Sequence, residues 1–241
     1  MKKIAIIGAH TNARVIYYMI KKYNLFEVAC FAVDKEYLHG EKEYLGLPLI
    51  AIDELPKYIS KETDYVFIGV LWNNLNSDRR HLYEKMKCLG YKFVNVISPT
   101  AVIQEEVKLG ENILICDNAV IECNTSIGDD TYIHGGAFVS ESCNIGRHCF
   151  LGIKSLTAGA VTLGDQCFVG VGATLFDEVK IGEKCVIGAR TIIKRNLPSY
   201  SMVKTKTSEL QVIEQLDADS ITGKIVAGKN IREVVSKLYI C

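Results

Sequence analysis

Proline, tryptophan and net charge are what this 241-residue sequence has least of: four prolines, one tryptophan, and 28 Lys+Arg against 28 Asp+Glu. With no excess of either sign there is no general electrostatic pull toward nucleic acid or an anionic membrane surface. Long hydrophobic runs are also missing, so no segment reads as a helix crossing a bilayer. What is present is enough apolar material for a core: 49% of residues are hydrophobic and 23% charged, which excludes a disordered chain. The opening MKKIAIIGAH pairs two lysines with a short apolar run but offers no small-residue cleavage site. It reads as a first strand. Nine cysteines, an odd number scattered along the chain, read as reduced thiols of a cytoplasmic protein.

The scarce prolines have a position. Pro99 and Pro198 bracket a stretch without any, and through it an aliphatic residue recurs every six places. The series runs from Ile97, Ile103, Leu109 and Ile115 to Ile181, Ile187 and Ile193, with Thr157 its one polar member. Four places after each lies a second, smaller residue, among them Ala119, Ala137, Cys143, Cys149, Cys167 and Cys185. Gly110, Gly128, Gly146, Gly164 and Gly182 mark a period of eighteen. Six residues do not fit the 3.6-residue period of a helix. Three short strands per eighteen-residue coil do fit, with the glycines expected at corners where a positive φ is needed. The stacked coils form a triangular prism with aliphatic ladders inside. Cys149, Cys167 and Cys185 stack on one wall instead of converging, so no metal site is expected.

Residues 1–96 read as alternating strands and helices, a small Rossmann-like parallel sheet. KIAIIGA, FEVACFAVD and DYVFIGVL supply strands; ARVIYYMIKKYN and RRHLYEKMKCLGY supply helices. The turn from Gly8 through His10 and Thr11 presents backbone N–H groups at a helix start, suited to a phosphate or serving as an ordinary βα turn. His10 departs from the dinucleotide fingerprint, so NAD is not expected. Asp34 closes the second strand where a ribose could be held. Trp72-Asn73-Asn74 follows the third strand at its C-terminal end, the ligand side of such sheets. Arg79 and Arg80 are in line for a pyrophosphate, though charges opening a helix are usually solvated. His148 reads as an exposed turn residue and His134 as a surface corner. Residues 203–241 leave the repeat and read as two helices separated by a loop.

A small α/β domain running into a hexapeptide prism resembles the bacterial sugar O-/N-acyltransferases of the sialic-acid O-acetyltransferase and nucleotide-aminosugar N-acetyltransferase type. The matching stretches are IIGAHTNARVI, Leu45-Gly46-Leu47-Pro48, IGVLWNNLNSDRR, VISPTAVI and IIKRNLPS. The resemblance implies a left-handed parallel β-helix over 97–202, a nucleotide-sugar-binding domain over 1–96, and a C-terminal extension over 203–241. It also implies a homotrimer with acetyl-CoA or another acyl-CoA between adjacent prisms and a nucleotide sugar as substrate. The family's histidine base falls in a Glu-His-Asp-Cys-like stretch, which here is Ser140-Glu141-Ser142-Cys143, so Glu141 takes that place. A second family histidine matches Phe150, and the terminal Gly-x-Pro-Ala becomes Lys204-Thr205-Lys206-Thr207. Gly159, Gly172 and Gly188 are the glycines that let CoA approach the wall. Three readings are open: an acyltransferase using Glu141 or His134 as base, a silent trimer that binds a sugar nucleotide or a partner, or a different transfer in the same cleft.

Overall fold

Strand β1 (Lys3–Ile7) lies at the centre of the N-terminal sheet, its residues Ile4 to Ile7 fully buried. It pairs in parallel with β2 (Glu27–Val33) on one side and β5 (Tyr65–Ile68) on the other. The structure, a computed structural model, describes residues 2–205. With β3 (Glu43–Tyr44), β4 (Leu47–Ala51) and β6 (Lys92–Phe93), the sheet order is β3-β4-β2-β1-β5-β6. Every pairing in this sheet is parallel except β3 with β4, a hairpin turning on Leu45 and Gly46, both at positive φ. Helix α1 (Thr11–Tyr23) buries Ala13, Ile16, Met19 and Ile20, the spacing of a single helical face. It ends where Asn24 turns left-handed and donates its N–H to the last-turn carbonyls. Helix α2 (Ser77–Cys88) joins β5 to β6.

From Val96 to Val203 the chain forms eighteen two-residue strands in three faces of seven, six and five. Strands on the first face pair with those eighteen residues on, as in Leu114 with Tyr132 and Ile133 with Leu151. The hexad reading holds throughout. Ile115, Ile133, Leu151, Val169 and Ile187 are fully buried along the first face, and Cys143, Cys149, Cys167 and Cys185 fill the small inward sites. The last strand, Met202–Val203, continues the first face but pairs with Val186–Ile187 sixteen residues back instead of eighteen, so the sheet runs on past the strict hexad. The helices read at 207–217 and 229–241 lie outside the described residues. All eight described cysteines are free.

The corners correct one expectation. Positive φ falls on every sixth residue along much of the stretch from Glu106 to Arg190, and most of these carry side chains, such as Asn112, Asn118, Ala160 and Gln166. The glycines every eighteen residues are not among them. They serve close approach between coils: a Cβ on Gly146 would lie 2.7 Å from the carbonyl carbon of Gly164, and one on Gly164 only 2.6 Å from that of Gly182. Gly146→Ala is therefore expected to destabilise by about 1–3 kcal/mol through forced separation of the coils. Ala160→Gly, at a left-handed corner (φ 55), should stay within about 1 kcal/mol of the parent. Urea midpoints of the two variants check this; equal losses would refute the close-approach account.

The three faces differ outside. The first presents Leu114, Tyr132 and Phe150, which share one buried cluster with Ile4, Ile6, Ile16 and Phe67, so sheet and prism have a common core. The second leaves Val102, Leu156 and Ile192 exposed. The third carries Lys108, Ser126, Asn144, Thr162 and Lys180.

Candidate functional site

A cavity of about 360 Å³ opens at the carboxyl ends of β1, β2 and β5. Gly8, His10, Asp34, Asn73, Asp78 and His81 line it. Gly8 is required there. Its φ is 121, its N–H donates to the Ala32 carbonyl at 2.7 Å, and an added Cβ would press on Val70 at 3.2 Å. His10 stands at the N-cap of α1 without capping it, its carbonyl accepting the Tyr44 hydroxyl at 3.2 Å. The Asp34 carboxylate accepts a bond from Lys85 Nζ. The structure thus brings Gly8, His10, Asp34 and Asn73 together. Thr11 opens α1 but is exposed and does not line the cavity. Arg80 faces another cleft, its Nε on Glu84 at 2.7 Å and its Nη1 on Gln166 Oε1 at 3.2 Å. The pyrophosphate role read for Arg80 does not fit that placement, because those bonds hold the guanidinium on the prism side of α2.

Two solvated readings are overturned. Arg79 is fully buried: its Nε meets Asp130 Oδ2 at 3.2 Å and its Nη2 donates to the carbonyls of Asp130 and Cys149, both at 3.0 Å. Its guanidinium lies 4.1 Å from the centre of the Tyr132 ring. His148 is only 4% exposed, with Nδ1 2.8 Å from the same Asp130 carboxylate, whose other oxygen accepts Asn112 Nδ2 at 2.6 Å. A charge at a helix start is solvated unless another element covers it, and here the first prism face covers it.

The prism edges carry the remaining candidates. Glu141 follows the strand Phe138–Val139 and is exposed; its N–H donates to Glu122 Oε2 at 3.1 Å. Among the described residues its carboxylate has no hydrogen-bond partner. Gly159 lies one coil on at the same edge, its N–H donating to Asp177 Oδ1 at 3.0 Å. His134 precedes the same strand, at the opposite edge of the second face, where Gly172 and Gly188 also lie. Gly172 adopts φ 64, and a Cβ on Gly188 would lie 3.2 Å from Lys204. Within one chain, then, Glu141 and His134 sit at opposite ends of one strand and form no common centre.

His134 is half-buried, against the surface reading, and its Nε2 is buried without a partner among the described residues. Burial, helped by the charge of Arg79, pushes its pKa down to about 4. The imidazole is therefore neutral at pH 7 and a weak base. Below pH 6.5 the unfolded chain binds a proton that the fold refuses, so this contribution to stability is complete above 6.5 and lost as pH falls to about 4. His134→Asn should flatten the stability profile across that window, checked by urea titration at a series of pH values.

Sheet and prism together have the fold of the hexapeptide-repeat left-handed β-helix proteins with a Rossmann-like domain in front. A family model described as the hexapeptide repeat of succinyl-transferase matches residues 144–177 and 178–193. The UDP-N-acetylbacillosamine N-acetyltransferase of Bacillus subtilis (strain 168) is 29% identical over 116 residues, which are 48% of this chain and 51% of that enzyme. The match thus spans about half the length of that relative. Among solved structures, PerB from Caulobacter crescentus in complex with CoA and GDP-perosamine is 29% identical with a TM-score of 0.74, covering 84% of this chain and 93% of that one. The acetyltransferase domain of PglB from Neisseria gonorrhoeae, in complex with acetyl coenzyme A, shares the fold at 20% identity and a TM-score of 0.73, covering 84% and 95%. The resemblance read from the sequence holds. Among the described residues no helix is long and apolar enough to cross a membrane, and no group of His, Cys, Asp and Glu could hold a metal ion.

Proposed function

We propose that this chain is an acyl-CoA-dependent N-acyltransferase that transfers an acetyl group to the amino group of a nucleotide-linked sugar. The observation that carries the reading is the likeness to PerB, which extends over both the cavity-bearing sheet and the prism. The nucleotide lies in the cavity at Gly8 and Asp34, where backbone N–H groups at the start of α1 meet a phosphate. Acyl-CoA runs along the prism past Gly159 of one chain and Gly172 and Gly188 of the next.

The working form is a homotrimer. The apolar residues exposed on the second face support this, as does the separation of Glu141 from His134, since a threefold packing of prisms brings unlike edges together across a subunit boundary. The reduced thiols fit a cytoplasmic location. In the reaction, the sugar amine attacks the thioester carbonyl, a carboxylate at Glu141 takes the proton it sheds, and the thiolate leaves as free CoA.

The test is release of CoA thiol from acetyl-CoA with GDP-perosamine, UDP-N-acetylbacillosamine and free sialic acid as acceptors, with sedimentation to give the assembly. Turnover on the amino sugars by a particle of three chains is the expected result. No release with any acceptor, together with no CoA binding by calorimetry, overturns the reading.

A further inference from the structure

The segment between β5 and α2 has a conformation that side-chain-bearing residues rarely adopt. Asn74, Leu75 and Asn76 are left-handed in succession, at φ 49, 51 and 61. Such residues normally occur singly, and a run of three persists only where its surroundings hold it. The hold is visible. Asn76 is fully buried and its Nδ2 donates to the Cys167 carbonyl at 3.2 Å, while Gln166 Nε2 donates to the Leu75 carbonyl at 3.0 Å. The Asn76 N–H donates to the Trp72 carbonyl at 3.0 Å, so the turn fixes the backbone of the one tryptophan in the sequence.

That tryptophan is placed for a ligand. Val70 and Asn73, on either side of it, both line the cavity at the sheet's carboxyl edge. Its ring stands against two prism aromatics, 4.9 Å from Phe150 at 64° and 5.7 Å from Phe168 at 57°, which are themselves parallel 5.1 Å apart. Even so, 43% of Trp72 is exposed. The next aromatic contact leads to His134, 4.6 Å from Phe150, with its unpartnered Nε2. A cavity of about 360 Å³ is at the small end for ligand sites, enough for a nucleoside diphosphate but not for the hexose attached to it. The hexose must lie outside, beside the cavity, on the way to the prism.

We propose that Trp72 is the platform on which that hexose lies, and that the left-handed turn 74–76 exists to hold the platform between cavity and prism. The apolar C–H face of a deoxy amino sugar stacks on the indole, and the Asn73 amide meets its polar edge. This rests on the nucleotide-sugar reading above and adds the residue that distinguishes a sugar nucleotide from the nucleotide alone.

A single tryptophan makes intrinsic fluorescence a report on this ring only. Saturation of the whole protein with GDP-perosamine or UDP-N-acetylbacillosamine should change the emission, whereas GDP or UDP should not. Trp72→Ala should raise KM for the nucleotide sugar about tenfold or more, leaving KM for acetyl-CoA and the affinity for free nucleotide unchanged. Trp72→Phe should recover most of the loss. Trp72→Leu, which keeps an apolar side chain against Phe150 and Phe168 but no ring, should behave like alanine.

Calorimetric binding of a nucleotide sugar with unchanged emission and unchanged KM in Trp72→Ala overturns the platform and leaves the function standing. Equal weakening of free nucleotide also overturns it, because the role is then structural. An emission change that follows protein concentration alone would mean that a second copy covers the ring, and the platform falls in that case too. Failure of every nucleotide sugar to bind sinks the function, and the platform with it.

Discussion

Glu141→Ala is expected to lower kcat about a hundredfold or more, with KM for acetyl-CoA changed by no more than about threefold. Attack by an amine on a thioester leaves an N–H in the transition state that becomes acidic as the bond forms, and a carboxylate in reach can take that proton. Glu141 is exposed at the edge level with Gly159, and its carboxylate has no hydrogen-bond partner among the described residues. Glu122, one coil below, is occupied by the Glu141 N–H, and Asp177, two coils above, by the Gly159 N–H. Glu141→Gln keeps the shape and removes the basicity, so it should match alanine. Glu141→His should retain substantial activity while the acidic limb of the kcat profile moves toward an imidazole range of about 6.5. Stopped assays across pH on the three variants decide the matter. A loss below tenfold in both Ala and Gln would place the base elsewhere.

Arg79→Ala should cost about 3–5 kcal/mol of folding stability, because it leaves the buried Asp130 short of its cation and takes one of two donors from the Cys149 carbonyl, which keeps the Tyr132 N–H. At a few degrees per kcal/mol for a domain of this size, Tm should fall by roughly 10–15 °C. Arg79→Lys should recover little, since one ammonium cannot reproduce a fork that also donates to Asn76 Oδ1 at 3.2 Å and covers the Tyr132 ring. The paired change Arg79→Met with Asp130→Asn should be milder than Arg79→Ala alone, as removing both charges leaves neither uncompensated, while asparagine keeps an acceptor for Asn112 and tolerates the left-handed corner at 130 (φ 55). Differential scanning calorimetry reads all three. If Arg79→Ala melts within about 3 °C of the parent, a shift that small for a domain of this size means the network is not what joins α2 to the prism.

Much of the fold was legible because its cause is local and repeated. A hexad that slips nowhere must turn the same way at each corner, so inward positions such as Ile133, Leu151 and Cys167 follow from counting. The strands β1, β2 and β5 were legible as apolar runs, whereas the hairpin β3–β4 was not, being too short to show an alternation. The site was only partly legible. Gly8, His10, Asp34 and Asn73 converge as their places at strand ends imply, whereas Arg80 turns away to Glu84 and Gln166. The left-handed turn at 74–76 left no readable trace, since asparagine and leucine around a tryptophan look like any polar loop.

The sequence by itself determined that this protein is a prism of eighteen-residue coils behind a small parallel sheet, and which residues fill the prism. It did so because burial in a repeat depends on position modulo six, a property of the chain alone. Tertiary structure decided the rest: that Arg79 and His148 are buried on one carboxylate, and that the glycines serve the next coil and not their own φ. The burial of Arg79 and His148, for one, depends on partners 18 to 70 residues away. Whether a charge is solvated, a Cβ tolerated or two groups brought together is settled by what the other element places against it.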